Sequence, residues 1–200
     1  RHPGIPVVTV GESLGSAIII AALASDDPPQ VDRAVLTAPA VWGWSAQPLP
    51  NRISLWFAAH FIGSASPEPP AFVTERIYAS DNMAELYRMG RDPQFIGASR
   101  FDAVYGLVDM MEQAYLHAPD VRVPVAYLYG GRDPLISMAA TQRTVARLPV
   151  GARTAFYPEG RHLLTRDLEA ETVMADVLAF VQDPTRPWPS GAVSIPVSDR

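Results

Sequence analysis

The sequence predicts an α/β protein: a mostly parallel sheet flanked by helices, with a helical cap inserted between two strands. Three observations carry this expectation. Short apolar runs rich in β-branched residues recur at Pro6–Val10, Arg33–Thr37, Val123–Tyr129 and Arg153–Tyr157. Runs that stay apolar on both faces are those of strands buried in a parallel sheet. Helical patterns follow three of them, at Ser16–Ala24, Ser137–Arg147 and Leu163–Val181. From about Trp42 to Asp120 the strand-like runs disappear, so that stretch reads as a helical insertion between the second and third strands.

Taken in order, the first strand ends in the sharp turn Gly11–Gly15, and a helix with Ala, Ile and Leu on nearly every face follows, as in a buried helix. Ser25-Asp26-Asp27-Pro28-Pro29 ends that helix, and Pro39 stops the second strand. Within the insertion, Ile53–Ile62 has helical periodicity, with Ile53, Trp56, Phe57, His60 and Phe61 near one another. Pro67-Glu68-Pro69-Pro70 reads as a linker. Asp81-Asn82 reads as an N-cap, with Glu85 three or four residues on. Arg100–His117 reads as a longer helix. Gly130-Gly131-Arg132-Asp133-Pro134 ends the third strand. The tail from Asp183 to Arg200 holds several prolines and no periodicity, which predicts a loosely attached or disordered extension.

Composition narrows the function classes. The chain has 200 residues, 48% of them apolar, enough for one domain or one domain with an insertion. Its net charge is −5 and no basic cluster occurs, which argues against nucleic acid as a partner. With no cysteine, disulfides, metal thiolates and a cysteine nucleophile are excluded. The histidines are scattered without metal-ligand spacing, and no glycine-rich phosphate loop occurs, so neither a metal nor a cofactor is expected. The strongest apolar run, Ala17–Ala24, is well short of the ~18 residues of a membrane span. The chain opens on Arg1 and enters a strand almost at once, from which we expect that the true N-terminus lies upstream.

The chemistry sits in three loops. Gly11-Glu12-Ser13-Leu14-Gly15 fits Gly-x-Ser-x-Gly in the strand–turn–helix context that pattern needs. A serine at such a tip exposes its hydroxyl, small neighbours avoid clashes, and the helix that starts there aims N–H groups at the site. The Leu14 N–H is then one oxyanion-hole donor. Serine needs a base, and His162 in Gly160-Arg161-His162-Leu163 is the candidate. The base needs a carboxylate, and Asp133 is the candidate. Each alone has a plainer reading: a chance motif, a turn aspartate, a solvated loop histidine. The order Ser, Asp, His, each after its own strand, selects the catalytic reading. Glu12 is expected to make structural hydrogen bonds under the turn, and Arg132 and Asp167 to lie at the surface or anchor loops. His2, His60 and His117 are poorer candidates for the base, with His60 expected buried or lining a pocket and His117 capping carbonyls.

These residues resemble the monoacylglycerol lipase and lysophospholipase group of α/β hydrolases, in its bacterial branch. The match runs over roughly residues 5–182 and rests on Gly-Glu-Ser-Leu-Gly, Gly-Gly-Arg-Asp-Pro and Gly-Arg-His-Leu-Leu. In the insertion it rests on Ala38-Pro39-Ala40-Val41-Trp42-Gly43, Ser80-Asp81-Asn82, Gly90-Arg91-Asp92-Pro93 and Tyr105-Gly106-Leu107-Val108-Asp109-Met110-Met111. The resemblance implies an α/β-hydrolase fold whose N-terminal strands are missing from this chain. It divides the chain into residues 1–41 with the nucleophile strand, a helical cap over 42–120, hydrolase core over 121–182 with the acid and the histidine, and a proline-rich tail over 183–200. Ser16 stands where family members commonly have glycine. The loop that gives the second oxyanion N–H would precede this chain, so the fragment alone is expected to fold poorly and turn over weakly.

The implied activity is hydrolysis of lipid-like carboxylic esters, a monoacylglycerol or lysophospholipid, through an acyl-enzyme on Ser13. Thioesterase, acyltransferase or short-chain carboxylesterase activity stays open, as does a non-catalytic binding module. Trp42, Trp56, Phe57, Met110 and Met111 are candidate lining of an apolar substrate pocket, with Trp44 and Phe61 beside them. Their plainer role is to pack the cap's own core. Transient contact with a membrane surface is expected, and a location in the cytoplasm or peripheral to the membrane.

Overall fold

The computed structural model describes residues 4–68 and 77–197. Four strands form one parallel sheet in the order of the chain: β1 (Val8–Glu12), β2 (Arg33–Thr37), β3 (Val125–Gly130) and β4 (Arg153–Tyr157). The register sets Val10 beside Val35, Leu36 beside Tyr127 and Leu128 beside Ala155. β1 and β4 are the two margins, and all four C-terminal ends point the same way. Open α/β sheets place their sites at that end.

Strand side chains alternate between faces with period two. On one face Leu36, Tyr127 and Tyr129 pack with Ala17 and Ile20 of α1 (Leu14–Leu23). On the other, Val35, Ala126, Leu128 and Ala155 pack with Val173, Val177 and Phe180 of α6 (Ala170–Gln182). Both layers lie on β2 and β3, which are buried along nearly their whole length. At the β1 margin the cover thins: Val10 is 55% exposed and Ile18 of α1 is 49% exposed. α1 is therefore buried on one side rather than all round, because that flank has no layer over it among the described residues.

Between β2 and β3 the chain forms only helices among the described residues. These are a short 3₁₀ turn at Trp44–Ala46, α2 (Leu49–Phe61), α3 (Met83–Gly90), α4 (Phe101–His117) and a second 3₁₀ turn at Ala118–Asp120. Asn82 caps α3 by accepting from the Glu85 N–H, as its sequence predicts. The stretch expected as a linker, Pro67–Pro70, lies partly outside the described residues, as do Arg1 and His2. No described helix is long and apolar enough to cross a membrane.

Parallel neighbours require the chain to return from the end of β2 to the start of β3. α4 makes that return: its 17 residues span about 25 Å at ~1.5 Å per residue. It buries Val108, Met111 and Ala114 in the same core as α1 and the sheet. α5 (Met138–Val145), capped by Ser137, connects β3 to β4.

Two expectations are corrected. The last helix begins at Ala170, not Leu163, because the ladder breaks at Leu168: its N–H donates to Asp81 Oδ1 at 2.8 Å instead of to the carbonyl four residues back. The tail is not loose over the described residues. Ile195 is 2% exposed, and the Phe156 N–H donates to Val193 O across the β4 margin. The Trp188 ring packs on Phe180 with the Arg153 guanidinium 3.9 Å from its centroid, and Trp188 Nε1 donates to Thr154 O. Asp176, fully buried, accepts from the Tyr157 hydroxyl and from Ser190 N and Oγ. Proline content reports the lack of regular structure, not the lack of packing.

Candidate active site

Ser13 stands between the end of β1 and the start of α1 with φ 54° and ψ −120°, a left-handed backbone that costs free energy in a non-glycine residue. Its N–H donates to Thr37 O at 2.9 Å, and its carbonyl accepts from Ala40 N at 3.0 Å, so β2 and its exit loop hold the turn. Gly11 is required by close approach: a Cβ there would meet Gly15 C at 2.6 Å and Ile19 at 2.7 Å. A small residue was expected on each side of the serine, yet nothing lies within 4 Å of a Cβ at Gly15. The hydroxyl of Ser16 is buried and donates to Gly11 O at 2.7 Å. Thr37 Oγ1 donates to the same carbonyl at 3.1 Å. Leu14 opens α1, so its N–H is one of those with no acceptor inside the helix.

Asp133 lies beyond β3, and its side chain is fully buried. Its Oδ1 accepts from Leu135 N at 2.8 Å and Ile136 N at 2.9 Å. That leaves Oδ2 to accept from His162 Nδ1, 2.8 Å away. His162 Nε2 lies 2.8 Å from Ser13 Oγ, and the histidine is 3% exposed. An ionised aspartate only accepts, which puts the imidazole proton on Nδ1 and leaves Nε2 free to accept from the serine. The aspartate and histidine loops meet because Gly130 has no side chain: a Cβ there would lie 2.4 Å from the carbonyl oxygens of Gly160 and Arg161. The three side chains singled out in the sequence are thus joined by two hydrogen bonds across 149 and 29 positions.

Glu12 reaches sideways: its Oε1 accepts from Thr165 Oγ1 at 2.9 Å, binding the serine turn to the histidine loop. Asp167 is buried and anchors that loop, while Arg132 pairs with Glu159 at the surface. His60 is exposed rather than buried, stacked on Trp56 at 4.4 Å and edge-on to Tyr105. His117 pairs with Asp120 at 3.2 Å instead of capping carbonyls. Tyr129 is a residue that sequence reasoning missed. Burial, and then the Asp133 charge, push its hydroxyl up to about 12. It therefore stays a neutral donor to Ile136 O near neutral pH.

The residues singled out as pocket lining divide. Trp56 and Phe57 line an open cavity of about 540 Å³ in the helical segment with Trp44, Ile53, Tyr105 and Asp109. Met111 is in the core instead, 5% exposed, and Met110 packs against that core. Trp42 and Met110 are not among the cavity's lining, nor is any of Ser13, Asp133 and His162. Phe61 is 73% exposed.

The family model described as "Serine aminopeptidase, S33", a hydrolase family, matches residues 1–169. The chain belongs to that family. As an α/β hydrolase it is similar in structure to the monoacylglycerol lipase of Paleococcus ferrophilus, with a TM-score of 0.73 at 18% identity over 89% of this chain and 68% of that one. A soluble variant of the Saccharomyces cerevisiae monoglyceride lipase, solved with a substrate analog, gives 0.71 at 15% identity over 92% and 63%. An esterase from Exiguobacterium antarcticum gives 0.56 at 14% over 90% and 68%. This α/β hydrolase therefore spans about two thirds of the length of these structures. No curated protein matches the sequence.

Proposed function

We propose that this α/β hydrolase is a serine esterase acting on monoacyl lipid esters, with Ser13 as nucleophile, His162 as general base and acid, and Asp133 as the carboxylate that orients His162. The observation that carries the reading is the pair of 2.8 Å contacts that set His162 between Asp133 Oδ2 and Ser13 Oγ. Ser13 Oγ attacks the ester carbonyl carbon as its proton passes to His162 Nε2. Negative charge gathers on the carbonyl oxygen, and the Leu14 N–H, which has no acceptor inside α1, is the donor proposed for it. The carbon–oxygen bond to the alcohol breaks, and His162 gives its proton to that oxygen. Water, losing a proton to His162, attacks the acyl-enzyme. The acid leaves as the proton returns to Ser13.

A lipid-like substrate is supported by the apolar surface of α2, whose Ile53, Trp56, Phe57 and Phe61 are 48%, 44%, 53% and 73% exposed. The same surface suits brief contact with lipid. The test is turnover of a series: p-nitrophenyl esters of rising chain length, a monoglyceride, a lysophospholipid, a thioester and an aminoacyl amide, with Ser13→Ala as control. Cleavage of the long-chain glycerol ester, lost in Ser13→Ala, is expected. Cleavage of short esters alone would overturn the lipid assignment. Preferential cleavage of the thioester or the amide would replace it with a thioesterase or the peptidase chemistry of the family's description.

A further inference from the structure

Residues 158–169 lie between β4 and α6 and belong to neither, yet they carry the histidine. Besides the Thr165–Glu12 bond, a set of long-range bonds to the chain just before α3 fixes them. Asp167 is 6% exposed, and both of its oxygens accept hydrogen bonds. Oδ2 accepts from the N–H of Arg161, the residue before His162, at 2.7 Å. Oδ1 accepts from Ser80 Oγ at 2.7 Å and from Asp81 N at 3.3 Å. The residue after His162 is held from the same side: Leu163 N donates to Ala79 O at 2.8 Å. Asp81 Oδ1 in turn accepts from Leu168 N at 2.8 Å. Ser80 is fully buried, and its oxygen also accepts from Asn82 N, at the cap of α3.

We propose that Asp167, acting through Ser80 and the Arg161 N–H, is a positioning residue that makes the placement of His162 depend on the helical segment. This rests on the reading of Ser13, Asp133 and His162 given above. The N–H groups of both residues flanking His162, Arg161 and Leu163, are bonded to the carboxylate that grips the 79–81 segment or to that segment itself. A shift where the chain enters α3 therefore moves the imidazole relative to two partners, each 2.8 Å away. Misplacement of about 1 Å in such a constellation costs up to ~10²-fold in rate. Asp167 touches neither Ser13 nor Asp133 in any of these bonds, so its effect on them passes through the loop that carries His162.

The test uses the full chain and two readouts: the rate at which a fluorophosphonate labels Ser13 across pH, and the low-field proton resonance of the His162–Asp133 hydrogen bond. In Asp167→Ala we expect labelling to slow by ~10–10²-fold, its pH midpoint to move, and the resonance to broaden or vanish. Asp167→Asn is expected to restore both. Its amide oxygen can accept from Arg161 N, while its NH₂ donates to Ser80 Oγ, which is free to turn its own proton to Arg166 O, 3.3 Å away; the one bond given up is the long one from Asp81 N, 3.3 Å in the parent. Ser80→Ala leaves the Arg161 bond in place and should fall between; it stands in if Asp167→Ala does not fold. A merely structural role would lower the melting temperature and leave labelling rate, pH midpoint and resonance unchanged in the folded molecules, and that result overturns the proposal. If the parent chain takes no label, the esterase reading fails instead, and the resonance in the three variants still decides this one.

Discussion

The Tyr129 hydroxyl donates to Ile136 O at 2.7 Å and so ties the loop that carries Asp133 back onto the sheet. Asp133 Oδ1 closes the same loop by accepting from Leu135 N and Ile136 N. Tyr129→Phe keeps the ring and removes this tether, leaving the carbonyl of the buried Ile136 without that donor. We expect a loss of about 1–3 kcal/mol, read by urea denaturation, together with slower labelling of Ser13.

Asp133→Asn keeps the oxygen that the loop N–H groups need and loses the acceptor that fixes the His162 proton on Nδ1. Stability should change little, since the packing is the same. Ester turnover should fall by up to ~10⁴, because the imidazole then favours the tautomer that cannot take the serine proton. Single-turnover kinetics on a p-nitrophenyl ester measure it.

Stability should fall at alkaline pH. The Tyr129 hydroxyl, ordinarily near 10, is raised to about 12, first by burial and then by the Asp133 charge. Tyr157 is raised too, by burial and then by its bond to Asp176 and that carboxylate's charge. A raised folded value means that the neutral phenol is the form the fold favours. That contribution is complete below about pH 10 and is lost as pH rises through about 12. Urea midpoints recorded from pH 9 to 12 should decline, and less steeply in Tyr129→Phe.

Asp176→Ala leaves the Tyr157 hydroxyl and both Ser190 donors without the carboxylate that gathers them. We expect a loss of about 2–3 kcal/mol and release of the tail. Hydrogen exchange should speed up at Phe156 N, whose acceptor is Val193 O. Unchanged protection there would mean that Trp188 and Ile195 hold the tail without Asp176.

Much of the candidate site was legible because its chemistry is punctuated by glycine. Gly11 and Gly130 mark places where backbone meets backbone, and the residues within three positions of them include Ser13 and Asp133. The strands were legible because β2 and β3 are apolar on both faces. What failed depends on partners remote in sequence. Met110 and Met111 are adjacent and chemically equal, and only the position of α1 decides that Met111 enters the core. Leu163–Glu169 carries helical spacing, but Ala79 and Asp81, more than 80 residues away, take up the N–H groups of Leu163 and Leu168. Tyr129 looked like one more strand aromatic, since nothing local announces that its hydroxyl reaches Ile136.

α4 is both the return path between parallel neighbours and a wall of the main core, through Val108, Met111 and Ala114. α2, by contrast, buries none of its residues, and neither does α3. The chain between Trp42 and Arg100 is therefore the part that descent can rewrite, by lengthening, shortening or exchange, without dismantling the sheet. Such novelty meets one restriction. Whatever replaces that stretch must still deliver a hydroxyl and a peptide carbonyl to the positions of Ser80 and Ala79, or the new specificity would arrive with a misplaced histidine.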